Sequence, residues 1–406
     1  MKIGYITVMA PTGIGEKFII DEINQLNLIG NEIVAMPVRP SSEILHTEGK
    51  RINTYRQPLI SFLLVFKAFL YFNRHPIKMS KLLAIIALNS HGLKNFVKNI
   101  IIIPKAINFN KYLTENNFHH LHAHWETTTS TIAYICNYLS GIPWSMSAHS
   151  GQILWNNMMK EKIRTASFCR VISEKRIEDV LKVSEYQYRN KLVMIHMGVR
   201  VEPSENLRIA SHTTFRIICV ANLDKIKGHK YLIEAVSQVH KTIPSVELYL
   251  VGDGKERFNI ENQISSLGAD AYIHLNGFVD NKEIITAYKE KYYDLMVLPS
   301  ISIPEESREE GIPCSLMEAM QNGIPVISTN TGSISELIDD QVNGFLVQDK
   351  DAKALADKII ELINDDELRQ FFINNGIKKI KTSFSVESTV EKLNTLFGNN
   401  GKENGV

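Results

Sequence analysis

The sequence predicts an α/β protein built from two doubly wound, Rossmann-like domains, and three observations predict it. The chain has 406 residues, beyond the size at which a single hydrophobic core stops growing. Strand-like apolar segments alternate with helical ones almost throughout, the order that yields parallel sheets. One polar, aperiodic stretch, VEPSENLRIASHT over 201–213, interrupts the alternation and reads as a linker.

Taken in order, the first domain (1–200) opens with strand KIGYITVM, a helix over 18–28 and strand EIVAMPV. A helical block over 59–116 and strand HHLHAHW come next, then a helix over 127–139 and strand PWSMSAH. A helix over 156–165, strand FCRVIS, a helix over 174–183 and strand KLVMIHM complete it. The second domain (214–384) runs FRIICVA, helix 229–240, VELYLVG, helix 255–267, YIHLNGF, helix 281–290, DLMVLP, helix 315–321, PVIST and helix 333–338. Helical patterns over 351–363, 366–375 and 385–397 follow, the last as a crossover helix, and 398–406 reads as a frayed tail. In open α/β sheets ligands bind beyond the carboxyl ends of the strands, so two such domains are expected to form a cleft there.

Composition narrows the function classes. The net charge of +1 decides nothing by itself, and no nucleic-acid partner is expected. The four cysteines, Cys136, Cys169, Cys219 and Cys314, match neither a disulfide framework nor a zinc spacing, so a reducing compartment is expected. KIGYITVMA lacks the basic start and long apolar run of a signal peptide, which makes cytoplasmic the expected location. The longest apolar run, LISFLLVFKAFLYF, is interrupted by Lys67 and is shorter than the ~20 residues a spanning helix requires. From Gly49 to Thr114 there is no Asp or Glu, while eleven lysines and arginines intersperse the apolar segments. That pattern predicts a surface resting on anionic lipid, with a helix hairpin carrying solvated lysines as the alternative.

Two carboxylates bracket a turn in EEGIPCSLMEAM. Pro313 suits the first turn of a helix, and Gly311 lets the preceding backbone approach a ligand. The amides of Cys314, Ser315 and Leu316 would then offer a phosphate site at the positive end of the helix. A carboxylate accepts two hydrogen bonds from a vicinal diol, so Glu318 suits a ribose and Glu310 suits hydroxyls beyond a diphosphate. Ser315 to Glu318 equally fits a capping box, S-x-x-E, and local sequence leaves both readings open. Cys314 at such a helix start is either a thiol of depressed pKa or an ordinary packed one.

The Glu310-x7-Glu318 pair, followed by EAMQNGIPVIST and GSISELIDDQVNGFLV, resembles the retaining glycosyltransferases of family 4, which have the GT-B fold. PSISIPEESREEGIPCSLMEAM is similar to the branch that builds bacterial exopolysaccharides such as colanic acid. The similarity runs over about 1–397 and is best in the C-terminal half. It implies transfer of a hexose from a nucleotide-diphosphate sugar to an oligosaccharide or lipid-linked acceptor, without a metal or other cofactor. The rival expectations are a nucleotide-sugar epimerase or phosphorylase on the same scaffold, or a non-catalytic nucleotide-sugar-binding homologue.

The resemblance also distributes roles. VANLDKIKGHKYLIEAV matches the segment whose lysine neutralises the donor diphosphate, which assigns Lys227. Asn222 stands where the family usually has arginine, removing one permanent cation, and Lys225 is the expected substitute. His149, after strand WSMSAH, matches the histidine beside the donor hexose. Gly13 and Gly15 fall in the family's glycine-rich loop near the transferred group, and the backbone at Phe278 and Val279 flanks the base. Gly311 and Ile312 complete the donor loop. His120, His122 and His124 share one face of a strand, but a single strand seldom completes a metal tetrahedron, so no zinc site is expected. A lipid-linked acceptor makes the expected location peripheral, at the inner face of the plasma membrane.

Overall fold

The computed structural model describes residues 1–12, 16–41, 47–149, 151–201, 213–306 and 308–399. Gly13, Gly15, most of the linker and nearly all of the tail lie outside the described residues. The chain divides into two compact units, 1–198 with 386–406, and 199–385.

The first unit holds a sheet of β1 (Lys2–Thr7), β2 (Glu32–Pro37), β3 (His120–His124), β4 (Trp144–Ala148), β5 (Cys169–Val171) and β6 (Leu192–Met194). Its order is β2-β1-β3-β4-β5-β6, and every pairing is parallel. β3 and β4 are buried along their whole length, the signature of strands covered on both faces. The strand order reverses between β1 and β3, so the carboxyl ends of these two neighbours flank a switch point where a crevice forms. The last helix, Val386–Asn399, belongs to this unit. Val390, Leu393 and Phe397 are buried in one cluster with Ile19, Ile23 and Leu26 of the helix Lys17–Leu28.

The second unit holds β7 (Phe215–Val220), β8 (Val246–Val251), β9 (Ile273–Gly277), β10 (Leu295–Leu298), β11 (Val326–Thr329) and β12 (Phe345–Val347). Its order is β12-β11-β10-β7-β8-β9, again parallel, with the reversal between β10 and β7. Two sequence expectations change here. The segment expected to be a helix over 333–338 is a single 3₁₀ turn, Ile334–Glu336. β12, three residues long and at the sheet edge, has too little apolar periodicity to announce itself.

The basic 49–114 region folds as a 3₁₀ turn, Thr47–Arg51, and four helices, Phe62–Arg74, Pro76–Asn89, Leu93–Ile101 and Ile103–Glu115. The first of them buries only Leu64 among its thirteen residues. Lys105 is fully buried, its Nζ donating to the carbonyls of Val38 and Gln57 at 2.8 Å each. Burial lowers its pKa to about 7, so this one of the eleven cations is structural and does not face outward. No helix among the described residues is long and apolar enough to cross a membrane.

Candidate active site

In the second unit, chemistry gathers at the switch between β7 and β10. The chain leaves β7 through Asn222, and Asp224 caps the 3₁₀ turn Lys225–Lys227 by accepting from the Ile226 amide at 3.2 Å. Gly228 follows at φ +67°, where a Cβ would stand 1.9 Å from the Pro299 carbonyl oxygen, so only glycine lets this turn lie against the end of β10. Lys227 is thereby held toward the loop that leaves β10. Its Nζ donates to Glu310 Oε2 at 2.5 Å, and Ser300 Oγ donates to the same oxygen at 3.0 Å.

Glu310 is fixed from behind as well. The Ser333 amide donates to its carbonyl at 3.2 Å, and Gly332, at φ +59°, passes so close that a Cβ would lie 1.8 Å from that oxygen. The glycine the fold requires here is Gly332. A Cβ on Gly311 would meet nothing within 4 Å, so packing does not demand glycine at that position.

The helix Cys314–Gln321 begins one residue later than Pro313, which sits at the cap position in extended backbone and makes no side-chain cap bond. Ser315 is then the second helical residue and Glu318 the fifth. A capping box needs the serine at the cap and the glutamate three residues on, so that reading of the pair is overturned. Glu318 instead accepts from Asn281 Nδ2 at 3.0 Å, at the start of the helix Asn281–Lys289. Leu316 is buried, anchoring the first turn, while Gly311, Ile312, Cys314 and Ser315 are half-buried. The structure therefore brings together Lys227 and Glu310, with Glu318 farther along the helix that the Glu310 loop enters.

The remaining donor-loop expectations are more dispersed. Asn222 is exposed, and its carbonyl accepts from the Asp224 amide at 2.8 Å. Lys225 is exposed beside it. Arg308 Nη2 donates to Asp224 Oδ1 at 2.8 Å, placing a permanent cation on the loop that lacks the usual arginine. Phe278 stands out at 63% exposure just beyond β9, and Val279 packs against the core. Ser300, Asn281 and Arg308 do not stand out in the sequence: Asn281 and Arg308 reach Glu318 and Asp224 from other strand ends, and Ser300 meets Glu310 only because the loop after β10 folds back on itself.

In the first unit, His149 follows β4 and is 5% exposed. His124 Nδ1 and His149 Nε2 lie 2.9 Å apart, and His124 Nε2 meets Glu22 Oε1 at 2.8 Å. Glu22, on the helix Lys17–Leu28, also accepts from Tyr5 Oη at 2.5 Å and from Arg170 Nη1 at 2.6 Å. Burial alone would raise the Glu22 carboxyl, but Arg170 and the histidines hold it well below its ordinary value. Burial pushes His149 down, assisted by His124 and Arg170, and pushes His120 down to about 3. His122 is lowered by burial too, with both ring nitrogens on serines, Ser145 at 2.8 Å and Ser147 at 2.9 Å.

Ligand atoms of Glu22, His122 and His124 lie within 4.8 Å of one another. Yet the Arg170 guanidinium already matches the one carboxylate charge, and the two His122 nitrogens are occupied by hydroxyls. The donor set is that of a hydrogen-bonded network and does not suit a cation.

Residues 205–379 match the family described as Glycosyl transferases group 1. The amylovoran biosynthesis glycosyltransferase AmsK of Erwinia amylovora is 34% identical over 204 residues, covering 50% of this chain and 49% of AmsK. The putative colanic acid biosynthesis glycosyltransferase WcaL of Escherichia coli K12 is 29% identical, covering 51% of each chain. This chain thus spans about half the length of the curated relatives it matches. Among solved structures, Anabaena Alr3699/HepE in complex with UDP superposes with a TM-score of 0.72 at 18% identity, over 98% of this chain and 100% of that one. The same protein has also been solved with UDP-glucose. Two six-stranded parallel sheets and this superposition give the chain the GT-B fold, and over residues 205–379 it is similar to the group 1 glycosyl transferases.

Proposed function

We propose that this chain transfers a hexose from a nucleotide-diphosphate sugar to a carbohydrate hydroxyl, with retention at the anomeric carbon, in the assembly of a bacterial exopolysaccharide, capsule or O-antigen. The observation that carries the reading is the Lys227–Glu310 pair at the β7/β10 switch, beside the helix that carries Glu318. A cation held against a strand end, followed by helix amides, suits a diphosphate. Relatives named for amylovoran and colanic acid synthesis, and a fold neighbour solved with UDP and UDP-glucose, support the substrate class.

In this reading the incoming diphosphate takes Lys227 from Glu310, which frees that carboxylate to accept from the sugar hydroxyls. Charge develops on the leaving diphosphate, and Lys227 with the amides of Ser315 and Leu316 stabilises it. His149 contacts the hexose, Glu318 accepts from the ribose, and the backbone at Phe278 and Val279 flanks the base. A departing phosphate oxygen takes the proton of the acceptor hydroxyl, so the step needs neither a separate base nor a metal. Lys227→Met should lower kcat by about 10²- to 10³-fold, the usual cost of one preorganised donor to developing charge, while the fold is kept. Near-normal turnover of the variant would remove Lys227 from the mechanism.

The acceptor is proposed to be lipid-linked and the protein to sit peripherally on anionic lipid. Phe62 is 85% exposed and stacks on the exposed Phe66, while Lys67, Arg74, Lys81 and Lys94 are exposed on the same helical block. Each near-surface cation contributes about 1 kcal/mol of attraction. Co-sedimentation with phosphatidylglycerol vesicles should be strong for the wild type and lost in Lys67→Glu/Lys81→Glu/Lys94→Glu. Equal sedimentation of both proteins would sink the membrane assignment.

A further inference from the structure

We infer that Glu22 and His124 are positioning residues that hold the His149 imidazole as its Nε2–H tautomer, so that Nδ1 presents a lone pair and selects a hydroxyl donor. The inference rests on the proposed contact between His149 and the transferred hexose, and it follows from counting protons along one buried chain of contacts.

Arg170 starts the chain. It can only donate, and its Nε and Nη2 are committed to the carbonyls of Ile195 at 2.9 Å and His196 at 2.6 Å. Its Nη1 therefore faces Glu22 Oε2 in a fixed orientation. An ionised carboxylate only accepts, so the hydrogen between Glu22 Oε1 and His124 Nε2 belongs to the imidazole. Arg170 already balances the Glu22 charge, so this contact needs only the one hydrogen that the His124 ring donates to Glu22. The His124 Nδ1 is then a lone pair. The 2.9 Å contact to His149 Nε2 needs one hydrogen, which His149 must supply.

What remains is His149 Nδ1. Burial keeps the ring neutral, so this nitrogen carries a lone pair and can only accept. Among the described residues it has no hydrogen-bonding partner. Neighbouring histidines do not interfere, since His120 and His122 are committed to Ser145 and Ser147. The backbone amide of His149 is pinned separately, donating to Glu126 Oε2 at 3.1 Å, so the ring's orientation and its proton are set by different groups. The relay thus resembles the carboxylate-imidazole pair of hydrolytic triads in holding a tautomer, with a second imidazole as the reporting group.

The decisive variant is Glu22→Gln. Arg170 forces the amide oxygen to stay on its side, so the NH2 must face His124 Nε2. His124 then carries its hydrogen on Nδ1 and donates it to His149 Nε2, and the His149 hydrogen moves to Nδ1. An acceptor becomes a donor without loss of any side chain at the site. Ring-nitrogen NMR of the full chain labelled with 15N-histidine should show His149 unprotonated at Nδ1 in the wild type and protonated there in Glu22→Gln. Turnover measured with UDP-glucose, GDP-mannose and ADP-glucose should fall roughly 10- to 100-fold in the variant, the factor for one mismatched buried polar atom. A wild-type spectrum with hydrogen on Nδ1 overturns the relay by itself, even if the variant fails to fold. So does an unchanged tautomer in folded Glu22→Gln. A flipped tautomer with unaltered turnover leaves the relay standing and overturns the contact between His149 and the sugar.

Discussion

At the end of β3 the Glu22 carboxylate is 1% exposed and both its oxygens are engaged, by Arg170 on one side and by Tyr5 and His124 on the other. At the end of β10 the Glu310 carboxylate is 13% exposed, and among the described residues only its Oε2 is engaged, by Lys227 and Ser300. Both sites lie at the switch point of a parallel sheet, and both pair one acid with one base. They differ in how easily a ligand can take the place of a protein partner. A sealed network fixes the proton position on one imidazole, whereas a half-open pair can hand its cation to a phosphate and its carboxylate to hydroxyls.

The strongest way to break the sealed side is Arg170→Met. Removing one partner from a buried ion pair leaves an uncompensated charge and typically costs 3–5 kcal/mol. Without the guanidinium, burial dominates and the Glu22 carboxyl rises, so the network also loses its charge. The sign with pH follows. A carboxyl held below its ordinary 4.5 stabilises the fold fully above that value, and the contribution is lost as pH falls through the lowered folded pKa. Acid unfolding of Arg170→Met should therefore begin at a higher pH than in the wild type. Coincident urea and acid transitions in the two proteins would show that the buried network does not hold this unit together.

How much of this contrast was legible in the sequence follows from the range of the contacts. The alternation that gives both sheets, the Glu310 to Glu318 spacing and the assignment of Lys227 are local patterns, each carried by fewer than about twenty consecutive residues. Glu22 was invisible as a site residue, because it sits in an amphipathic helix and reaches His124 across 102 positions. HHLHAHW invited thoughts of metal only because its serine and carboxylate partners lie on other elements. The capping-box reading of Glu318 failed for a subtler reason. The helix starts at Cys314, two residues earlier than a cap at Ser315 would require, and that shift turns a first-turn glutamate into a second-turn side chain.

That shift sharpens the open side of the comparison. In Glu318→Gln the side-chain carbonyl can still accept from Asn281, so thermal stability should stay close to wild type. A ribose diol needs two acceptors, and the amide supplies one acceptor and one donor. UDP affinity measured by calorimetry should drop about 10-fold, the cost of one charge-assisted hydrogen bond. Unchanged affinity would confine Glu318 to a structural role beside Asn281.

The smallest effect belongs to Arg308→Met, the same substitution as Arg170→Met made on the open side. Arg308 bonds Asp224 at 2.8 Å and Glu306 at 3.0 Å, with 40% of its side chain exposed. Water screens both bonds and the freed carboxylates can be solvated, so urea stability should fall by less than about 1 kcal/mol. Asp224 still caps the turn that presents Lys227, by way of the Ile226 amide. If Arg308 stands in for the missing arginine at position 222, however, UDP should bind the variant several-fold more weakly at low salt, and the difference should shrink as ionic strength rises. A loss of stability comparable to that of Arg170→Met would mean that this loop is packed as tightly as the first, and the contrast between the two sites would disappear. Equal UDP affinity at low salt, with stability retained, would instead confine Arg308 to holding Asp224.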